Sequence, residues 1–271
     1  MKQKNQSTAP SLPNGKGGVS RLFASSALRK TAAVVLAILA WQVLALAIGE
    51  ELILVSPVKV LLRLFTIWRE AGFLGAIGHS LLRIAGGFFL AFAVGVALAV
   101  LAGRFPIVET LLFPYMAVVK AVPVVSFIVI AYVWMSSRTI ALFIAFLIVL
   151  PTVYTGLLSG IKARDGKLEE MADVFDVSPL RRFLYIRLPQ LEPYILSAVS
   201  LGAGLAFKSG VAAEIIAVPA GSMGEMMYYA SLWLQNVDLF TWTVILLLIS
   251  IAFEKLLVFL VKFGLRRLYC R

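Results

Sequence analysis

Charged side chains inside long apolar stretches are the residues of this sequence best placed to do chemistry. Lys120 lies in one such stretch, Lys208 lies among glycines in another, and Glu214 follows near the end of that second stretch. A charge in an apolar stretch is costly to bury, so each marks a candidate functional site. The two lysines would attract an anion to a pathway. The alternative is that they form structural ion pairs with Glu214 or Glu254.

The sequence contains no arrangement typical of an enzyme or a metal site. It has one cysteine, Cys270, and one histidine, His79, which excludes an internal disulfide and a cysteine metal cluster. It has no nucleophile paired with a base, and the phosphate-binding pattern GxxxxGK[ST] does not occur. We therefore expect a chain that is not an enzyme and holds no cofactor of its own. His79 is expected to be an interfacial polar residue.

The composition requires lipid as the solvent for most of the chain. Of the 271 residues, 61% are hydrophobic and 14% are charged, whereas a soluble domain is about half apolar and a quarter charged. Apolar windows of about 20 residues are long enough to cross a bilayer as helices. They predict an all-α integral membrane protein with about six transmembrane helices, the first within 29–50 and the others at 80–103, 111–134, 139–159, 193–213 and 239–261.

The distribution of positive charge predicts the orientation of these helices. The net charge is +11, and lysines and arginines cluster before the first span, between the fourth and fifth, and after the sixth. An even number of spans puts these three segments on one face, and an excess of Lys and Arg marks the cytoplasmic face. Both termini are therefore predicted to be cytoplasmic, and the charge is not a nucleic-acid footprint.

Two polar segments flank the first span. Residues 1–28 are rich in Ser, Pro and Gly and predict a disordered cytoplasmic tail. Residues 51–79 predict an external amphipathic segment, in which one helix lies along the membrane surface.

A longer polar segment, residues 160–192, interrupts the apolar pattern between the fourth and fifth spans. It begins with apolar residues at helical spacing: Leu168, Met171, Ala172 and Phe175. Ser178-Pro179 is a signal for the start of a second helix, and Pro189 ends or kinks that helix. The pattern predicts two short amphipathic helices with a sharp elbow near Asp176.

This segment resembles the EAA loop of ATP-binding cassette (ABC) importer permeases. That loop has Glu-Ala-Ala, a glycine six residues after the glutamate, and a hydrophobic-x-Leu-Pro sequence that ends nineteen residues after it. Here Glu170-Met171-Ala172 is followed at those spacings by Asp176 and by Leu188-Pro189. Met171 departs from the first alanine. Asp176 departs from the glycine but tolerates positive φ better than most residues do.

The resemblance extends from about Pro57 to the C-terminus. The stretches HSLLRIAGGFFLAFAVGVALAVLAG, KAVPVVSF and FKSGVAAEIIAVPAGSMGEMMYYA are similar to permeases of the nitrate/sulfonate/taurine importer family. The resemblance implies a type I ABC importer permease fold and a multi-pass protein of the bacterial cytoplasmic membrane. The core of such a permease would span 80–271, with the coupling loop at 160–192.

The family also implies partners and roles. A cytoplasmic ABC ATPase would bind the ATP and dock on the loop, an extracytoplasmic binding protein would deliver the substrate, and a second permease copy would complete a homodimer in the lipid bilayer. The implied docking residues are Leu168, Glu170, Met171, Ala172, Phe175, Asp176, Leu188 and Pro189. The candidate pathway residues remain Lys120, Lys208 and Glu214, which were chosen because they are charges within apolar stretches and not because of the family. The solute that the family implies is small and anionic, namely nitrate, a sulfonate or a taurine-like compound, or else it is a thiamine-pyrimidine precursor.

A different class of protein also fits part of the pattern. An ATPase-independent secondary transporter or channel would use Lys120 and Lys208 as ion-coupling groups. It would leave the helix pair at 160–192 without an explanation.

Overall fold

The computed structural model describes residues 26–269, with side chains over 29–268, and every regular element in that range is helical. The predicted tail, 1–28, lies outside this range apart from its last residues, as does Cys270. The elements are α1 (Ser26–Ile48), α2 (Pro57–Ile67), α3 (Phe73–Arg104), α4 (Pro106–Ala121), α5 (Val124–Trp134), α6 (Ser137–Lys162), α7 (Gly166–Val174), α8 (Pro179–Arg182), a π-helical turn (Phe183–Arg187), α9 (Leu188–Ala217), α10 (Met223–Leu232) and α11 (Asn236–Tyr269).

The described residues divide into two compact units, with the boundary between Val58 and Lys59. The first unit contains α1, a strongly apolar helix with most of its side chains exposed. The second unit contains the remaining transmembrane helices and all the candidate site residues.

Within the described residues, five helical stretches are long and apolar enough to cross a membrane, which confirms the all-α transmembrane class. They are Arg29–Ile48, Phe73–Arg104, Ser137–Lys162, Pro179–Ala217 and Asn236–Leu268. The pair α4 and α5 makes a sixth crossing if the two count as one span. The predicted spans at 80–103, 139–159, 193–213 and 239–261 each lie inside one of these helices.

The span predicted at 111–134 is not one straight helix. α4 ends at Ala121, α5 begins at Val124, and the two are bent by 102°. The cause is Pro123, which has no N–H to donate and which forces Val122 into an extended conformation with φ −78° and ψ 134°.

The external segment also differs from the single amphipathic helix that was predicted. α2 ends at Ile67, and Gly72, at φ 85°, turns the chain into α3, so residues 73–79 belong to the next span. The Arg63 guanidinium of α2 forms ion pairs with Glu70 and with Asp238 at the start of α11.

The core of the second unit lies where α3, α6 and α9 pack together, with α11 against α9. Ile84, Phe88, Val149 and Phe207 are fully or almost fully buried there. α3 approaches α6 closely because Gly87 faces it: a Cβ at Gly87 would lie 2.4 Å from the Leu142 carbonyl oxygen. Small residues at such contacts allow helix backbones to meet in a membrane. This packing fixes the ends of α6 and α9, which carry the polar loop.

Candidate functional site

The polar loop begins with a short capped helix. The Asp165 side chain accepts a hydrogen bond from the Lys167 N–H at 2.9 Å and so caps the N-terminus of α7. At the other end the Asp176 N–H donates to the Asp173 carbonyl and the Val177 N–H donates to the Ala172 carbonyl. These two bonds form a Schellman motif, which stops the helix and sets the direction in which the chain leaves it.

Asp176 occupies the position in that motif which normally requires glycine. Its φ is +49°, in the left-handed region. Apart from glycine, Asp and Asn are the residues that occasionally adopt this conformation, because their short polar side chains can form local hydrogen bonds. The elbow predicted at Asp176 is therefore present.

One side of α7 presents apolar side chains to solvent. Leu168 and Met171 are more than one-third exposed, and Phe175, just after the helix, is 74% exposed. Val174, which the sequence pattern did not single out, is 81% exposed and extends the same side. We call these four residues the apolar face.

Not all of the predicted docking residues lie on this surface. Ala172 is fully buried and Leu188 is 7% exposed, so in this conformation both support the loop from inside. Pro189 lies in the first turn of α9, and the preceding π-helical turn widens the backbone ladder, with the Leu188 N–H bonded to the Phe183 carbonyl. The second short helix is therefore continuous with the next span. Pro189 distorts the helix without ending it.

Glu169 is the central acidic residue of the loop. Its two carboxylate oxygens accept hydrogen bonds from Arg187 Nε at 2.7 Å and Arg187 Nη2 at 2.8 Å. Arg164 and Arg182 each place a nitrogen 3.8 Å from it. The hydrogen bond from Arg187 is the main reason that the pKa of Glu169 lies below its usual range. The sequence pattern pointed instead to Glu170, which is exposed.

Arg182 forms the second ion pair of the loop. Its Nη2 lies 2.6 Å from the Asp173 carboxylate. This pair joins α8 to α7, and the Arg187–Glu169 pair joins the π-helical turn to α7. The loop is thus held to the start of α9 at two points.

The predicted pathway residues lie apart from the loop and from one another. Lys120 Nζ donates to Thr155 Oγ1 at 3.0 Å, beside a cavity of about 240 Å³ between α4 and α6. Lys208 is exposed at a second cavity, of about 390 Å³, between α9, α10 and α11. Over residues 29–268 neither lysine pairs with a carboxylate. Neither of them therefore forms the structural ion pair with Glu214 or Glu254 that was the alternative.

Glu214 has another environment, since no part of it is exposed. The Ser80 hydroxyl donates to Glu214 Oε2 at 2.6 Å, and the Gly224 N–H donates to the same oxygen at 3.3 Å. The Arg83 guanidinium lies 3.6 Å away. Ser80 also accepts from the Met223 N–H at 2.9 Å. These contacts hold α10 against α3 and α9.

The other acidic candidate and the histidine also have local partners. Ser200 of α9 donates a hydrogen bond to Glu254 of α11. The His79 ring nitrogen Nδ1 lies 3.2 Å from the Gly221 carbonyl oxygen, beside the loop before α10. Among the described residues no three His, Cys, Asp or Glu side chains are grouped as a metal site requires.

Comparison with known proteins assigns this architecture. Residues 91–268 match the family model of the binding-protein-dependent transport system inner membrane component. The chain is 28% identical to the taurine transport system permease protein TauC of Escherichia coli, over 85% of this chain and 83% of that one. It is 27% identical to the nitrate import permease protein NrtB of Synechocystis (74% and 76%) and 28% identical to the putative aliphatic sulfonates transport permease protein SsuC of Bacillus subtilis (79% and 77%). The chain therefore belongs to the family of binding-protein-dependent inner membrane transport components: it is a multi-pass ABC importer permease, a transport subunit and not an enzyme.

Proposed function

We propose that this permease carries a small anion across the membrane, driven by a separate ATPase that docks on the apolar face of α7. The observation that carries the proposal is that face itself: Leu168, Met171, Val174 and Phe175 are exposed together on a short helix that is capped and ion-paired. A contiguous exposed apolar patch rimmed by charges is typical of a protein contact surface.

The surroundings of the apolar face favour a folded protein partner. A cleft of about 570 Å³ lies next to it, lined by Phe175, Asp176, Arg181 and Tyr185 among others. Large side chains that fill such pockets supply most of the energy of a protein interface. Glu170, exposed at the edge of α7, would meet a cationic group of the ATPase.

The charge distribution supports a cytoplasmic position for this loop. It carries Lys162, Arg164, Lys167, Arg181, Arg182 and Arg187, and basic loops remain on the cytoplasmic side. Both termini share that side if the bent pair α4–α5 acts as one crossing. ATP would then bind only to the ATPase, and this chain would hold no cofactor.

The names of three relatives support an anionic substrate. One is named for taurine, one for nitrate and one for aliphatic sulfonates, and all three compounds carry a negative oxyanion group. Lys120 and Lys208, each exposed at a cavity between transmembrane helices, are the cations that would attract it. A binding protein would supply the solute and a second copy of the chain would complete the pathway. A thiamine-pyrimidine precursor has less support, because none of these three names includes it.

Uptake into proteoliposomes tests the proposal against an ATPase-independent carrier. The vesicles would contain the permease with its ATPase, and the binding protein would be added outside. We expect uptake of a labelled sulfonate or nitrate only when ATP is present on the side of the membrane where the ATPase is bound. Lys208→Gln should reduce this uptake several-fold. Lys255→Gln, an exposed lysine of α11, is the control. Uptake by the permease alone, without ATP, would favour a secondary transporter.

A further inference from the structure

We propose that a cavity beside the coupling loop is a binding site for an anionic phospholipid. This cavity, of about 430 Å³, lies where the ends of α3, α6 and α9 meet the π-helical turn. Three of its lining residues are arginines, namely Arg104, Arg164 and Arg187, and its other walls are mainly apolar.

The arginines of this cavity outnumber the carboxylates that pair with them among the described side chains. Glu169 binds Arg187 in two hydrogen bonds and lies 3.8 Å from Arg164. Among the described residues no carboxylate pairs with Arg104, whose guanidinium lies 5.7 Å from the centre of the Phe105 ring. Three positive charges thus face one negative charge, and the two charges left over favour the binding of an anion. Arginine suits phosphate because its planar fork donates two parallel hydrogen bonds.

The apolar walls distinguish a lipid from a free anion. Val100 is 56% exposed and Phe183 is 46% exposed, and both line the cavity together with Leu191. A free phosphate would gain nothing from these side chains, whereas an acyl chain would cover them. Arginines at the level of the headgroups with apolar residues beside them match both parts of a phospholipid. Basic pockets between transmembrane helices on the cytoplasmic side are typical of such sites.

The position of the cavity gives the lipid an effect on transport. Arg187 lines the cavity and also holds Glu169 of α7. A phosphate at Arg104 and Arg164 would neutralise the charges that repel Arg187, and so would strengthen the connection between α7 and α9. The bound lipid would therefore stabilise the coupling loop in the orientation described above.

Native mass spectrometry of the full-length protein in detergent tests this site. The probes are phosphatidylglycerol and phosphatidylcholine with identical acyl chains, and inorganic phosphate. We expect the wild type to retain phosphatidylglycerol in preference to phosphatidylcholine. A basic residue near the membrane surface contributes about 1 kcal/mol to binding an anionic lipid, so Arg104→Gln should weaken phosphatidylglycerol binding about five-fold and Arg104→Gln with Arg164→Gln about 25-fold.

Two further variants keep the test independent of folding defects. Val100→Trp fills the cavity from an exposed position without a change of charge and should also displace the lipid. Arg266→Gln removes an exposed arginine near the end of α11 and should retain it. Equal binding of the two lipids, or equal loss in Arg104→Gln and Arg266→Gln, would overturn the proposal. Displacement of the lipid by inorganic phosphate at equal concentration would also overturn it, because the site would then bind free anions.

Discussion

Arg187 and Glu169 join the two ends of the coupling loop, with both carboxylate oxygens of Glu169 bound at 2.7 and 2.8 Å by one guanidinium. Glu169 belongs to α7, which carries the apolar face, and Arg187 is the last residue before α9, a membrane-spanning helix. A two-bond pair of this kind restricts orientation as well as distance. If a partner docks on α7 as proposed, this pair would transmit a movement of α7 directly to α9.

Breaking the Arg187–Glu169 pair should weaken the connection between α7 and α9 while the chain still folds. Glu169→Gln should lower ATP-driven uptake several-fold and weaken the pair by up to about 1 kcal/mol, the range of partly exposed ion pairs. The measurements are uptake in proteoliposomes and thermal unfolding of the purified protein. Glu169→Asp, which keeps the negative charge beside Arg164 and Arg182, should lose less uptake than Glu169→Gln. Equal loss in the two variants would contradict a role for the charge of this pair.

The pair should also respond to pH in one direction. Because the pKa of Glu169 is lower in the folded loop than in the unfolded chain, its stabilisation is complete above the usual glutamate pKa and is lost as pH falls through the folded value. A spin label attached to Lys167→Cys, in a Cys270→Ser background, should become more mobile only when the pH falls below the usual pKa of glutamate. Glu169→Gln should be mobile at every pH, and an unchanged titration in that variant would assign the transition to another group.

The left-handed conformation of Asp176 makes the elbow sensitive to residue type. Asp176→Gly should be tolerated and should stabilise the elbow slightly, because glycine adopts φ +49° without steric cost. Asp176→Val should lose about 1–2 kcal/mol, since a β-branched residue is strained there. Uptake assays and thermal unfolding measure both. Loss of uptake in Asp176→Gly would reveal a role for the carboxylate beyond backbone geometry.

The contact between α10 and α9 should tolerate no side chain at Gly224. A Cβ there would lie 2.2 Å from the Glu214 Cβ and 2.6 Å from its carbonyl carbon. Overpacking of this kind costs about 1–3 kcal/mol, and backbone contacts leave little room to relax. Gly224→Ala should therefore lower the thermal midpoint clearly. Gly264→Ala, which meets no atom within 4 Å, is the control, and equal behaviour of the two would contradict this packing.

Features that depend on composition or on neighbouring residues were predictable from the sequence. The transmembrane helices follow from apolar length, and the elbow follows from Asp176 and Ser178-Pro179. Val122-Pro123 is a recognised break signal, but the apolar stretch around it continues without a gap, so the sequence alone favoured one span.

Contacts between distant residues were not predictable. Glu214 and Ser80 lie 134 positions apart, and nothing in the sequence distinguishes a carboxylate that faces a pathway from one that is buried against a hydroxyl. Glu169 and Glu170 are adjacent and identical in type. Only the rotation of α7 decides which of them meets Arg187.

The most direct test of the account removes the apolar face and measures the ATPase. The permease would be purified with its ABC ATPase, identified by its GxxxxGK[ST] motif, and the affinity of the complex would be measured. Val174→Ala with Phe175→Ala removes the most exposed part of the face, and Phe259→Ala with Leu260→Ala, an exposed pair on α11, is the control. If the face is the docking surface, the first variant should bind at least about 30-fold more weakly, as expected for interface residues worth about 2 kcal/mol, and the control should bind normally. Unchanged affinity in the first variant would contradict the docking role of α7.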